Sequence, residues 1–291
     1  DPHPEDRPLR VLLLIALVTV AQAPASAQMT STRNVPYDGV ADHPEGRDLL
    51  DVYMPEGAEG VPVMVFFHGG ALIMGQKDDG EALARRLTAM GIGVVSATYR
   101  MSPEVSHPVH TQDAARAVAW VSENIATHGG DPSRLVLAGH SAGAYLAALL
   151  AFDPHYLEAV GVDRGQVAGT LLVSPFLYVE ETARDRVARN PVFETIWGTD
   201  PDAWLAASVT PHIGPERDDV LLIYADGDDD WRKAQNEALA TALRAAGNEN
   251  VRAVEVPNRT HGSLITDVGA GDDQIGELVR RFVFREDGRP R

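Results

Sequence analysis

A serine flanked by glycines is the first feature of this sequence that could do chemistry. It stands in Gly139-His140-Ser141-Ala142-Gly143, which matches the pattern G-x-S-x-G. The apolar run 135–137 precedes it and an Ala/Leu-rich stretch follows, so a strand, a sharp turn and a helix are predicted in that order. Glycines on either side avoid clashes at such a turn, which aims the hydroxyl at a substrate. We therefore predict that Ser141 is a nucleophile, against the alternative of an ordinary glycine-rich turn.

A serine hydroxyl needs a general base to become nucleophilic. Three histidines follow Ser141 in the chain, namely His155, His212 and His261. His155 comes too soon after the predicted helix, and His212 lies in a segment that breaks the alternation of strands and helices. His261 directly follows the last predicted strand, where a loop can deliver a base. The sequence therefore predicts His261 as the base.

The base in turn needs a carboxylate that orients it, and four aspartates follow the predicted strand 220–225. Asp226 is too close to the strand end to turn toward the histidine. Asp229 or Asp230 can cap the helix that begins near residue 231. Asp228 is the predicted acid, with Asp230 as the next candidate. A cation site is the other reading of this cluster, although adjacent acids at a helix start more often serve capping and the helix dipole.

Two glycines at the end of an earlier strand are suited to stabilise an oxyanion. His68-Gly69-Gly70 follows the apolar run 62–67. Backbone N–H groups at a glycine turn can approach a developing negative charge closely, because no side chain intervenes. We predict that Gly69 and Gly70 donate to this charge, together with the N–H of Ala142. The alternative is a simple turn at a strand end.

The elements that must position these residues alternate along the chain. Such alternation predicts a mostly parallel central sheet with helices on both faces, and the chemistry of such folds lies at the carboxyl ends of the strands. We expect the first strand at the sheet edge, and a small cap over the site from 178–215, which breaks the alternation. The predicted strands are 48–54, 62–67, 92–98, 134–138, 167–173, 220–225 and 251–256, and the predicted helices are 81–90, 110–128, 141–152, 231–246 and 274–284.

The beginning of the chain is typical of a signal peptide. Arg7 and Arg10 precede an apolar run at 11–21, which is too short to span a bilayer, and Ala25-Ser26-Ala27 fits the small residues that a signal peptidase reads. We predict a signal peptide over 1–27, a single catalytic domain over 28–291 and a secreted or periplasmic protein. An uncleaved anchor is the alternative, and after cleavage no stable membrane insertion is expected.

Composition narrows the possible partners. The 291 residues include 25 Lys and Arg against 42 Asp and Glu, a formal net charge of −17, which disfavours binding to nucleic acid or to anionic membranes. There is no cysteine, which excludes disulfides, thiolate metal sites and a cysteine nucleophile. We expect neither a metal nor an organic cofactor. The oligomeric state is left open.

Taken together, these motifs resemble the α/β-hydrolase superfamily over nearly all of the chain after residue 27. The resemblance is greatest to carboxylesterases and hormone-sensitive-lipase-like esterases, near the arylformamidase-like branch. His68-Gly69-Gly70 resembles the oxyanion motif of that family, Tyr99-Arg100-Met101-Ser102-Pro103 resembles its tyrosine-arginine-x-x-proline segment, and Gly130-Asp131-Pro132-Ser133-Arg134 resembles the turn before its nucleophile strand. We interpret Tyr99, Arg100 and Asp113 as structural residues that brace the sheet edge.

Three residues depart from the family pattern. Ala225 replaces the glycine that often begins the acid loop in that family. His140 stands where many hormone-sensitive-lipase-like members carry Asp, which favours the arylformamidase or general carboxylesterase branch. Ala71 stands where related enzymes often carry a larger residue, so we expect a wider pocket near the oxyanion site.

The resemblance implies an α/β-hydrolase fold and a serine hydrolase. Its substrates would be carboxylic esters of small or medium size, cleaved through an acyl-enzyme. An amidase such as a formamidase, a peptidase, and a non-catalytic binding protein on a hydrolase scaffold are the alternatives. The residues that remain present, Ser141, His261 and several acids, argue against the binding protein.

Overall fold

A computed structural model describes residues 28–38, 46–215, 219–269, 271 and 273–284 of the chain. The predicted signal peptide over 1–27 lies outside the described residues. Eight strands within them form one sheet. These strands are β1 (Met29–Pro36), β2 (Leu49–Pro55), β3 (Val61–Phe67), β4 (Gly93–Ala97), β5 (Gly130–His140), β6 (Val167–Val173), β7 (Val220–Ala225) and β8 (Val251–Val256).

The order of strands across the sheet is β1-β2-β4-β3-β5-β6-β7-β8. β3 to β8 pair in parallel, and only β1 with β2 and β2 with β4 pair antiparallel in the described sheet. This arrangement confirms the predicted mostly parallel central sheet. The prediction that 48–54 lies at the edge is wrong, because β1 pairs outside β2. β1 is mostly polar and exposed along its length, so it carries no apolar alternation from which a strand could be predicted.

Helices cover both faces of the sheet, as predicted. Residues of α1 (Glu81–Thr88) and α10 (Gln274–Val283) share one apolar core with the sheet, and residues of α2 (Val109–Asn124), α3 (Ala142–Phe152) and α8 (Asp230–Ala245) share the core on the other face. Every helix in the described part of the chain falls short of the length and apolarity that a bilayer crossing requires. The remaining α-helices of the described residues are α4 (His155–Glu158), α5 (Val179–Arg189), α6 (Glu194–Trp197), α7 (Pro201–Ala207) and α9 (Ser263–Thr266).

The segment 178–215 between β6 and β7 is helical and contains α5, α6 and α7. It packs on α3, the helix that follows Ser141. The Tyr145 hydroxyl donates to the carbonyl of Ala207 at 2.8 Å, and the Tyr145 ring stacks on Phe176 with the ring of Trp197 edge-on to it. The helix after the serine is therefore tied to the segment that we predicted as a cap.

The register of the sheet brings the candidate residues to one edge. In register, Phe67 at the end of β3 lies opposite Gly139 of β5, His140 lies opposite Val173 of β6, and Ala225 of β7 lies opposite Val256 of β8. The loops that follow these strands carry Gly69 and Gly70, Ser141, the aspartates and His261. Because the strands are parallel, all of these loops leave the sheet at its carboxyl edge.

Candidate active site

Ser141 occupies a strained turn between β5 and α3. Its backbone has φ 54° and ψ −113°, a region in which non-glycine residues are rare. Its N–H donates to the carbonyl of Val173 at 2.8 Å, and its carbonyl accepts from the N–H of Tyr145 at 3.1 Å. These bonds hold the serine at the point where the strand ends and the helix begins, the geometry that projects a hydroxyl away from the sheet.

Two glycines make this turn sterically possible. A Cβ on Gly139 would lie 2.2 Å from the carbonyl carbon of Gly143, and a Cβ on Gly143 would lie 2.0 Å from the carbonyl oxygen of Phe67. Both contacts are with backbone atoms, which have little freedom to move. The sequence pattern thus has a direct steric cause: any side chain at either position would push α3 away from the sheet.

His261 is hydrogen-bonded to Asp228. Its Nδ1 lies 2.7 Å from Oδ1 of the carboxylate, and the Asp228 side chain is almost completely buried. An imidazole that donates from Nδ1 carries its lone pair on Nε2, which is the atom a general base needs free. The structure therefore brings the predicted base and the preferred predicted acid into direct contact.

His140 connects the serine turn with the loop of the base. Its Nε2 donates to the carbonyl of His261 at 2.9 Å, and the two rings lie 4.7 Å apart between centroids. Burial, followed by the charge of His261, lowers the pKa of His140 to about 4. His140 is therefore neutral at pH 7, and it contacts the base without adding a second positive charge beside it.

The other three aspartates have different partners. Asp226 is exposed and accepts the N–H groups of Asn258 and Arg259 at 2.9 and 3.0 Å, which holds the loop that leads to His261. These backbone hydrogen bonds lower the pKa of Asp226. Asp229 is the residue before α8, and its carboxylate accepts from the indole N–H of Trp231 at 3.2 Å. Asp230 is exposed at the first position of the helix. Of the four, Asp228 is the one that contacts His261.

The surroundings of Asp228 include two residues that sequence reasoning missed. The hydroxyl of Ser174 donates to Oδ2 at 2.5 Å, the N–H of Ala225 donates to the same oxygen at 2.9 Å, and Nε of Arg232 lies 3.8 Å from Oδ1. Burial raises the pKa of Asp228, but hydrogen bonds from His261, Ser174 and Ala225 outweigh it, and the pKa lies below its usual value. Arg232 could have been found from its i,i+4 spacing to Asp228. No local pattern points to Ser174.

Gly69, the first of the predicted oxyanion donors, lies against the serine. A Cβ on Gly69 would be 2.9 Å from Nδ1 of His140 and 3.4 Å from Cβ of Ser141, so only glycine fits here without a shift. Within the described part of the chain, the N–H groups of Gly69, Gly70 and Ala142 donate to no other residue. Ala142 is the first residue of α3, where the N–H groups have no acceptor within the helix. Unused donors beside a nucleophile suit a developing oxyanion.

The buried side chains of Tyr99 and His68 support the glycine loop. The Tyr99 ring stacks on His68 with centroids 4.4 Å apart, and its hydroxyl donates to the carbonyl of His68 at 2.9 Å. His68 in turn donates from Nδ1 to the carbonyl of Gly69 at 2.7 Å, and burial lowers the pKa of His68 to about 4. Tyr99 thus braces the glycine loop rather than the sheet edge. Arg100 and Asp113 form an ion pair at 2.7 Å.

A cavity of about 350 Å³ opens beside His140, between the glycine loop and the loop of His261. Among the residues that the structure describes, no group of three or more His, Asp or Glu side chains could hold a metal ion. The polar groups gathered at this edge are a hydroxyl, an imidazole–carboxylate pair and free backbone donors. This set can perform acyl transfer without a metal. The cavity is lined by Phe66, Gly69, Gly70, Met74, Gly75, Asp79, His140, Gly262, Ile265 and Thr266.

Comparison with known proteins agrees with the observed fold. A family model described as alpha/beta hydrolase fold matches residues 64–265. Esterase LipQ of Mycobacterium tuberculosis is 32% identical over 79% of this chain and 56% of its own length, and carboxylesterase NlhH of the same organism is 40% identical over 41% of this chain and 36% of its own. The chain thus spans about half of the first relative and about a third of the second. An inhibited esterase B from Lactobacillus rhamnosis has the same fold, with a TM-score of 0.74 and 20% identity over 87% of this chain and 86% of that one.

The steric role of Gly143 can be tested by substitution. Because an added Cβ would meet the Phe67 carbonyl, Gly143→Ala should lower the free energy of unfolding by about 1–3 kcal/mol, measured by denaturant unfolding. Gly262→Ala is the matched control, since φ there is −75° and a Cβ would meet nothing within 4 Å. The control should stay within about 0.5 kcal/mol of the wild type. Equal stabilities of the two variants would contradict the steric account.

Proposed function

The chain belongs to the alpha/beta hydrolase fold family, and from this we propose that it is a serine hydrolase that cleaves carboxylic esters of small or medium size. The observation that carries the proposal is the 2.7 Å hydrogen bond between His261 and Asp228 at the sheet edge that also bears the strained Ser141. Two relatives support the choice of esters, since one is named an esterase and the other a carboxylesterase.

In the proposed reaction, Ser141 attacks the carbonyl carbon of the ester. His261 removes the hydroxyl proton at Nε2 as the Oγ–carbon bond forms, while Asp228 stays ionised and holds the imidazolium in place. The carbonyl oxygen becomes an oxyanion, which accepts from the N–H groups of Gly69, Gly70 and Ala142. Losing one such donor typically costs about 10²–10³-fold in rate, so these groups contribute a large part of the catalysis.

The reaction then proceeds in two stages, release of the alcohol and hydrolysis of the acyl-enzyme. The bond to the leaving oxygen breaks, and His261 gives its proton to that oxygen, which departs as an alcohol and leaves the acyl group on Ser141. Water next attacks the acyl carbon while His261 takes one of its protons. When the carbon–Oγ bond breaks, the proton returns to Ser141 and the carboxylic acid is released. Each proton is accounted for by one imidazole, and no cofactor takes part.

The nucleophile is tested by Ser141→Ala. Because the proposed reaction passes through a covalent bond to this oxygen, kcat/KM on short p-nitrophenyl esters should fall by roughly 10⁴–10⁶-fold, and a fluorophosphonate should label the wild type but not the variant. Ser122→Ala is the control, since its hydroxyl donates to a carbonyl within helix α2, away from the site. Wild-type protein that ignores both reagents would contradict the proposal. Faster turnover of N-formyl anilides than of aryl esters would favour an amidase instead.

The acid is tested by a panel of conservative substitutions. Asp228→Asn keeps the shape of the side chain but presents the wrong hydrogen-bonding group to His261 Nδ1, so kcat should fall by about 10³–10⁴-fold. Asp230→Asn, at an exposed helix position, should retain kcat within about twofold. Asp229→Asn should behave like Asp230→Asn. A larger loss in either of these variants than in Asp228→Asn would show that Asp228 is not the acid.

We also propose that the enzyme acts outside the cytoplasm after removal of residues 1–27. The support is the sequence pattern of Arg7 and Arg10, the apolar run and Ala25-Ser26-Ala27. When the chain is expressed with this leader, N-terminal sequencing of the exported protein should begin at Gln28. Replacing Ala27 by Lys should block the cleavage, because signal peptidase reads small residues there. Exported protein that retains residues 1–27 would be an anchored form and would contradict the cleavage.

A further inference from the structure

Ser174 lies between the end of β5, which leads to Ser141, and the end of β7, which leads to Asp228. It directly follows β6, which pairs with β5 on one side and β7 on the other. The N–H of Ser141 donates to the carbonyl of Val173 at 2.8 Å, and the N–H of Ser174 donates to the carbonyl of Ile223 at 2.7 Å. The ends of three neighbouring strands are thus bonded in a row, and Ser174 stands in the middle of that row with no exposed surface.

The hydroxyl of Ser174 contacts both members of the His261–Asp228 pair. It lies 2.5 Å from Oδ2 of Asp228 and 3.0 Å from Nδ1 of His261. A hydroxyl has one hydrogen to give, and a carboxylate can only accept, so the hydrogen goes to Asp228. Toward His261 the oxygen is therefore an acceptor. The Nδ1–H of His261 is shared between Oδ1 of Asp228 and Oγ of Ser174.

The backbone of Ser174 is held in a conformation that favours glycine. Its φ is 50°, where non-glycine residues are uncommon and cost free energy. Its carbonyl accepts from Nη1 of Arg232 at 2.7 Å, and the side chain of Asn236 donates to the next carbonyl, that of Pro175, at 3.3 Å. Glycine would satisfy the backbone at lower cost. The presence of serine at this position therefore points to a use of the hydroxyl.

We infer that Ser174 is a positioning residue for the proposed hydrolysis, which acts on the substrate through Asp228 and His261. By holding the carboxylate oxygen that His261 does not contact, its hydroxyl fixes the rotation of the carboxylate and so the plane of the imidazole. By accepting from Nδ1–H, it stabilises the imidazolium that forms when Ser141 loses its proton. The inference rests on the proposed function and adds a fourth side chain to the three already assigned.

The Ser174→Gly variant tests the role of the hydroxyl separately from the role of the backbone conformation. The substitution removes the hydroxyl and relieves the strain at φ 50°, so the fold is retained while the contacts to Asp228 and His261 are lost. Loss of a hydrogen bond to a charged pair that matters in the transition state should lower kcat on p-nitrophenyl butyrate by roughly 10- to 100-fold, with KM changed by less than about twofold. The rate of fluorophosphonate labelling should fall by a similar factor.

A second readout addresses the histidine itself. In the wild type, the Nδ1 proton of His261 should give a low-field proton NMR signal that is absent from Asp228→Ala. In Ser174→Gly this signal should shift, because one of its two acceptors is gone. Ser174→Ala keeps the strain and also lacks the hydroxyl, so it should reproduce both effects. A role limited to the fold would move the unfolding midpoint but neither kcat nor the proton signal of the folded protein.

Ser96→Ala is the matched control. Ser96 is a completely buried serine on β4, and its hydroxyl donates to the carbonyl of Lys77 at 2.7 Å, away from the proposed site. This variant loses a buried hydrogen bond of the same kind, so it should lower stability while kcat and the proton signal stay as in the wild type. A similar loss of kcat in Ser96→Ala and Ser174→Gly would show a general effect of weakened packing and would overturn the inference.

The outcomes for Ser174 and for the proposed function are distinct. An inert wild type defeats the proposed function before any variant is compared. If the wild type is active and Ser141→Ala is not, then a Ser174→Gly variant with wild-type kcat overturns the inference about Ser174 alone. A rise in KM at unchanged kcat would do the same, because it would place the effect on substrate binding. A fall in kcat with a shifted Nδ1 proton supports the positioning role.

Discussion

The close approach of helix α3 to the backbone of β3 is the constraint on which the rest of this site depends. Gly143 passes so near the carbonyl of Phe67 that only a hydrogen fits between them, and Gly139 faces the same helix turn from β5. Ser141 is the single residue between the end of β5 and the start of α3, and its φ is 54°. Phe67 is also the last residue of the strand that leads into Gly69 and Gly70. One backbone contact therefore sets the nucleophile and the loop of predicted donors relative to each other.

The buried carboxylate imposes a second requirement, because a charge removed from water must be paired and hydrogen-bonded. Asp228 receives its donors from the ends of three different strands: His261 after β8, Ser174 after β6 and the N–H of Ala225 in β7. The hydrogen bonds that the Asp228 carboxylate requires therefore join the ends of three strands. Arg232 adds a buried positive charge nearby, and although burial lowers its pKa to about 10, it remains protonated at pH 7.

Most of the sheet could be predicted from sequence, because buried parallel strands are short apolar runs with clear ends. The bounds predicted for β6, β7 and β8 are those observed. β1 could not be predicted, since neither of its faces is apolar enough to produce a pattern. Asp226 lies too close to its strand to orient the base, as the sequence predicts, and instead its carboxylate accepts two N–H groups of the loop before His261. Ser174 could not be found, because its contacts join residues 54 and 87 positions apart.

These cases show that two kinds of interaction position the residues at this edge of the sheet. The serine turn and the glycine loop are fixed by backbone geometry, so they leave a local signature of glycines that can be read in a single sequence. The base and acid are fixed by side chains that meet only in the folded chain, and four neighbouring aspartates look alike until their partners are known. His140 belongs to both groups, since it is part of the serine turn and donates to the carbonyl of His261. Its bond joins the part of the site that sequence specifies locally to the part that only the tertiary structure specifies. The loop of the base is therefore tied to the serine turn by a histidine that stays neutral at pH 7.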